Sequence, residues 1–208
     1  MIRPPGFSGA LFGTAAEGDA RSDEAARAVF VSAGAPQEWA FVSQVHGKDV
    51  VDAVRPGSLG EGDAIITTQT DLAITVAAAD CVPVVVEGHG FAAVIHAGWR
   101  GAAAGVVTAT LTNLRRRGLV PERAALGPSI GPCCYEVGPE VVDRFPDHAE
   151  TTTWGTASID LRTAVAGQLD DVSVWVSDRC TMTDPGLLSY RRNRTTQRQV
   201  AVAWLPKV

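Results

Sequence analysis

The sequence predicts a layered domain of mixed α/β (α+β) class. Segments with helical composition and caps alternate with short apolar segments rich in Val, Ile and Ala. Two of the apolar runs, "VPVVVEG" and "FAAVIH", flank a tight turn at "EGHGF" and read as an antiparallel hairpin. The chain has 208 residues, of which 46% are hydrophobic and 20% charged, enough for a sizeable core. No linker, low-complexity tract or internal repeat divides it, so residues 1–208 are expected to form one domain.

The elements follow in order. Ser22 is positioned to cap a helix running to about Ser32, with acids in its first turn and Gly34 after its end. "AFVSQVH" reads as a strand ending at His46. "DLAITVAAA" and "VPVVVEG" read as strands around a break at Ala79 to Pro83, and "FAAVIH" follows. From Gly101 to Arg117 the residues favour helix, and three arginines suit its C-terminal dipole before Gly118. "AALGPSIGPCCYEVG" is a short strand and a Gly/Pro-rich loop. "PEVVDRF" is a short helix with Pro139 near its start. Asp160 caps a helix to about Leu169. "VSVWVSD" and "QVAVAWL" alternate with the period of strands.

Composition excludes several classes. The net charge is -5, and Lys and Arg concentrate only around Arg191 to Arg198, which argues against nucleic-acid binding. The run from Leu72 to Val86 is interrupted by Asp80 and Pro83 and is too short to span a bilayer. The first residues lack the pattern of a signal sequence, which points to the cytoplasm and to reduced thiols at Cys81, Cys133, Cys134 and Cys180. Monomer and dimer are both compatible with the sequence.

Three soft-metal ligands end apolar segments: His46, Cys81 and His96. Their spacing is wide and uneven, so no local motif ties them together. Taken singly, a His at a strand end is more often a hydrogen-bonded structural residue, and a Cys a small buried hydrophobe. As a set, two imidazoles and a thiolate match a catalytic zinc with an open fourth position. His89 and His148 lie in polar turns and read as surface residues. With four histidines, one distant internal Met182 and no surplus of imidazoles, zinc is favoured over copper. After His96, "AGWRG" turns into a helix and offers Arg100 to a phosphate or carboxylate. Alternatively, Gly98 and Gly101 simply let strand and helix pack closely. Asp80 is a candidate general acid or a turn cap. Arg191 and Arg192 are further anion ligands. Trp99 or Tyr135 could stack on a flat ring.

The motifs "QVHG", "AADCVPV", "AVIHAGWRG", "GPSIGPCCYEVG" and "CT…LLSYRR", in this order, resemble the YfiH-like family, long labelled as laccase-domain or multicopper polyphenol oxidases. The likeness runs from about Phe41 to Leu205. It implies a layered α/β/β/α domain with mixed sheets and not a cupredoxin barrel. It also implies zinc held by His46, Cys81 and His96, with nucleoside and phosphate as small-molecule partners. The implied reactions are phosphorolysis of adenosine, inosine and S-methyl-5′-thioadenosine, and deamination of adenosine. Familiar zinc deaminases use His-x-Glu and Pro-Cys-x-x-Cys, neither of which is present. The sequence departs from the family near its start, where Arg27 stands in place of an Asn-Arg pair, and at "NRTT". Other readings are a peptidoglycan-precursor editing hydrolase at the same site, a Cys-His thiol hydrolase built on Cys81, a copper polyphenol oxidase, and a binding module with structural zinc.

Overall fold

The computed structural model describes residues 1–206. The chain starts with strand β1 (Ala10–Phe12) and helix α1 (Glu24–Ser32), then β2 (Glu38–Ser43), β3 (Val50–Asp52), β4 (Gly57–Glu61) and β5 (Ala64–Thr67). Strands β6 (Leu72–Ala78), β7 (Val82–Gly88) and β8 (Phe91–Ala97) form the central run. Helices α2 (Trp99–Ala104) and α3 (Val106–Arg116) lead into β9 (Arg123–Leu126). The last third holds α4 (Pro139–Val142), β10 (Ala149–Thr151), β11 (Ala157–Ile159), α5 (Leu161–Ala166), β12 (Ser173–Val176), α6 (Tyr190–Asn193) and β13 (Gln199–Ala203).

The strands build two open mixed sheets, ordered β1-β13-β6-β2-β4 and β12-β9-β7-β8-β5-β3, with β10 and β11 as a separate pair. Alternation along each strand assigns its faces. On the five-stranded sheet, Ile74, Val76, Ala201 and Ala203 face inward, and on the six-stranded sheet Ile65, Val85, Val94 and Ala125 meet them in one core. The opposite faces carry helices. Phe30 of α1 packs with Leu11, Ala73, Ala77, Val200 and Val202 over the five-stranded sheet. Leu111 and Leu114 of α3 and Leu161 and Val165 of α5 pack with Val82, Val84, Val86 and Ile95 over the other. Each of these large buried aliphatic side chains contributes about 1.5–3 kcal/mol. The result is the α/β/β/α layering expected of the sequence, with no closed barrel. Because β13 is covered on both sides, all five of its residues are buried despite its alternating pattern.

Several details differ from the sequence reading. Helix α1 is capped by Asp23 and not Ser22: the Asp23 carboxylate accepts from the Ala25 and Ala26 N–H groups. The strand in "AFVSQVH" ends at Ser43, and His46 sits beyond it in a loop. The helix after β8 starts earlier, at Trp99, and breaks at Gly105, whose φ of 83° ends α2 and starts α3. Among the described residues no helix is long and apolar enough to cross a membrane.

Candidate active site

His96 lies on β8, whose Ala92 and Val94 point into the core between the sheets. At the end of the same face the strand presents an imidazole, 3% exposed, at the open edge of the sandwich. A buried imidazole needs partners, and His96 has a defined one. Its Nδ1 lies 2.8 Å from Oδ1 of Asp63, which is fully buried at the start of β5. That pairing leaves Nε2 for a ligand.

Asp63 does more than orient one ring. Its carboxylate accepts from the backbone N–H groups of Val45 at 3.2 Å, His46 at 3.0 Å and Gly47 at 2.7 Å. The loop after β2 is therefore tied down at three consecutive donors. It holds His46 at a φ of 59°, in the left-handed region that such a residue seldom adopts. Burial raises the Asp63 carboxyl, but the bond from His96 and the backbone donors outweigh it and hold it below its usual range. Sequence reasoning missed Asp63. Its one trace is an acid between Gly62 and the apolar "AIIT", a position where a buried carboxylate demands an explanation.

Cys81 completes the group between β6 and β7. The ligand atoms of His46, Cys81 and His96 all lie within 4.8 Å of one another, and the two rings meet edge to face at 4.8 Å. Burial pushes the Cys81 thiol up, but hydrogen bonds from His46 and His96 bring it down to about 6. Burial likewise disfavours charge on His96, yet Asp63 and Cys81 raise it to about 9. Gly98 is required by this crowding. A Cβ there would lie 2.6 Å from His46 Nδ1 and 3.1 Å from Cys81 Sγ. A Cβ on Gly101 would likewise lie 2.8 Å from the Gly47 carbonyl oxygen, so both glycines serve close packing. Two nitrogens and one thiolate, a carboxylate behind one ring and, among the described residues, no fourth His, Cys, Asp or Glu in the group are a donor set suited to a divalent metal with an open position.

Asp80 precedes Cys81 with a φ of 99° and is buried. Thr181 Oγ1 donates to one of its oxygens at 2.6 Å and the Arg191 N–H to the other at 2.7 Å. The carboxylate thus anchors α6, which carries Arg191.

The group opens into a cavity of about 930 Å³, walled by Arg100, Arg191, Arg198, Arg21, Trp99 and Tyr135 among others. The Arg100 guanidinium lies over Trp99 at 4.4 Å, and that of Arg191 over Tyr135 at 5.1 Å. Arg191 Nη1 also donates to the Glu136 carbonyl at 2.7 Å. Arg192, expected beside Arg191, is turned away: it donates to the carbonyls of Thr181 and Asp184 at 2.8 Å each and to that of Leu187. Arg27 also stays outside, where it donates to the Ala20 and Arg21 carbonyls. It thereby braces Arg21, which lines the cavity with Arg100, Arg191 and Arg198. Arg21 and Arg198 carried no signal beyond their charge. His89 is exposed and His148 half-buried, and neither lines this cavity.

Over residues 5–206 the chain matches the family described as multi-copper polyphenol oxidoreductase laccase. The chain belongs to that family. Its similar proteins include a purine nucleoside phosphorylase of Corynebacterium glutamicum, 37% identical over 188 residues, which are 83% of this chain and 76% of the relative. A purine nucleoside phosphorylase of Streptomyces coelicolor is 38% identical over 186 residues, with shares of 82% and 76%. Among solved structures, YlmD from Geobacillus stearothermophilus superposes with a TM-score of 0.82 at 26% identity, covering 100% of this chain and 98% of its own. A Neisseria meningitidis protein gives a TM-score of 0.75 at 29% identity, with 89% and 83% covered. Relatives of this laccase-family chain thus bear the name purine nucleoside phosphorylase.

Proposed function

We propose that this chain is a zinc-dependent purine nucleoside phosphorylase with adenosine deaminase activity. Adenosine, inosine and S-methyl-5′-thioadenosine are its substrates. The observation that carries this reading is the meeting of His46, Cys81 and His96 in the wall of a cavity lined by four arginines. The names of the relatives supply the substrate class. Zinc, when bound, would supply Lewis acidity and an acidified water.

The protein's own residues then divide the work. Asp63 holds His96 and the His46 loop in ligating geometry. Arg100 and Arg191 hold phosphate, and Asp80 positions Arg191 through its N–H. In phosphorolysis a phosphate oxygen bonds to C1′ of the ribose. The bond from C1′ to the purine nitrogen breaks, and the base leaves with the electron pair and takes up a proton. Trp99 and Tyr135 offer flat walls for the base, their other faces covered by arginines.

The test is product analysis with adenosine, with and without phosphate. Adenine and ribose 1-phosphate in the phosphate sample alone show phosphorolysis, and inosine in both samples shows deamination. Zinc-loaded protein that yields neither product overturns the reading. A second reading rests on the Cys81 thiol, held at about 6 beside His96: a metal-free hydrolase with a thiolate nucleophile. Full activity in protein stripped of zinc favours it, and activity that follows zinc content refutes it.

A further inference from the structure

A second group of side chains of metal-ligating type lies outside the cavity lining, among residues that the proposed reactions do not use. Cys133 and Cys134 sit in the loop after β9, and Cys180 in the loop after β12. The two loops are joined. A single parallel bridge pairs Ser129 with Cys180, and the Gly131 N–H donates to Cys180 Sγ at 3.2 Å. Cys133 Sγ lies 3.1 Å from Cys134 Sγ and 3.9 Å from Cys180 Sγ, and the three sulfurs are all within 4.8 Å. With metal–sulfur bonds of about 2.3 Å, one ion spans at most about 4.6 Å between two sulfurs. A movement of a few tenths of an ångström thus lets a single ion reach all three.

Arg162 and the N–H groups around Cys180 favour negative charge at the cluster. Arg162 donates to the Ser129 carbonyl at 2.9 Å and the Ser177 carbonyl at 3.1 Å, so it braces both loops. Its Nε is buried with no hydrogen-bond partner. A Cβ on Gly131 would meet Arg162 Nη2 at 2.9 Å and Cys133 Sγ at 3.5 Å, which places guanidinium and thiol around one small space. Burial raises Cys180, but the N–H groups of Gly131, Thr183 and Met182 outweigh it and favour the thiolate, whereas burial and the neighbouring Cys133 and Cys180 push the Cys134 thiol up to about 12, so that Cys134 loses its proton only to a metal. A disulfide between Cys133 and Cys134 is geometrically poor. Their Cα atoms stand about 3.8 Å apart across a trans peptide, below the usual span of about 4.4–6.8 Å.

We infer that Cys133, Cys134 and Cys180 form a second metal site that takes one Cu(I) ion. The ligand count selects the ion. Structural zinc takes four protein ligands, and among the described residues this cluster has three, all soft sulfur, the donor type that suits Cu(I). On binding, each thiol gives its proton to solvent and its sulfur donates an electron pair, with no change of oxidation state. Three thiolates and one Cu(I) carry two net negative charges, of which Arg162 offsets one. The ion ties the loop bearing Tyr135 to the loop bearing Thr181, and so reaches the cavity wall and the Asp80 anchor.

The inference does not depend on the nucleoside reading, and its test uses no enzyme assay. Full-length protein loaded with one zinc per chain is titrated anaerobically with Cu(I) against a chromophoric copper chelator. The parent takes up one Cu(I) per chain and keeps its zinc. The Cys133→Ser/Cys180→Ser double variant takes up none and keeps its zinc. Copper-edge X-ray absorption on the parent, which needs no variant to fold, shows three sulfur neighbours. Any of four results overturns the site: equal copper uptake by the variant, copper that displaces the first zinc, a second zinc that Cu(I) does not displace, or a Cys133–Cys180 disulfide that survives mild reductant.

Discussion

The residue that governs the candidate centre is Asp63, which is not one of the three grouped ligands. Its two oxygens accept four hydrogen bonds, one from His96 and three from the loop that presents His46. Replacing Asp63 by Asn keeps the shape but puts an NH₂ group against N–H donors. We expect zinc affinity to fall about 10–100-fold, as for other groups behind a metal ligand. Stability should fall by about 3–5 kcal/mol, the cost of breaking a buried pair. Chelator competition and urea melts measure the two. Zinc affinity equal to the parent's would show that Asp63 does not position the ligands. Gly98→Ala tests the crowding directly. The added methyl meets His46 Nδ1 and Cys81 Sγ, so zinc content should drop while the fold loses about 1–3 kcal/mol. A zinc-replete Gly98→Ala protein would contradict this.

At the scale of elements, two turns decide where functional groups point. Gly105 separates α2 from α3 at a φ of 83°. An alanine there should cost about 1–2 kcal/mol, because the left-handed conformation remains required by the packing of both helices. A melting temperature unchanged or raised would show that the two helices can fuse. Asp80 holds the start of α6 against β6 and β7. Asp80→Asn should raise the KM for phosphate through Arg191 and leave zinc content unchanged, and loss of zinc instead would place its role at the metal. The strands of the central hairpin were legible in the sequence because apolar runs and turn residues mark them locally. His46, Cys81 and His96 were legible as odd polar residues at the ends of such runs. Strands β3, β4, β10 and β11 were not legible, since each has only three to five residues and none carries a run of buried apolar side chains. Asp63 and Arg21 escaped notice for another reason. Their roles come from contacts between segments, as when Asp63 reaches the loop after β2, and no local pattern encodes that.

For the whole molecule, the centre links protonation to stability. In metal-free protein Cys81 sits at about 6 against an ordinary 9, and His96 at about 9 against an ordinary 6.5. The thiolate's contribution is fully present above pH 9 and fades as pH falls through 6. The imidazolium's is fully present below pH 6.5 and is lost as pH rises through 9. Between about 6.5 and 9 the two slopes oppose and offset each other. The metal-free parent should therefore change little in urea midpoint across this window from these groups. Cys81→Ser should lose stability as pH rises, with His96 and Asp63 left as the pair. Parallel midpoint curves for the two proteins would refute the linkage. The architecture adds a kinetic consequence. His46 follows a strand of one sheet, His96 ends a strand of the other, and Cys81 stands in the crossing between them. No ligand pair is close in sequence, so the unfolded chain has no preformed site. Capture of a metal by these three residues would have to wait for the slow, long-range meeting of the two sheets. During refolding, zinc uptake should thus trail the recovery of strand signal and serve as a clock for the final docking of the sandwich.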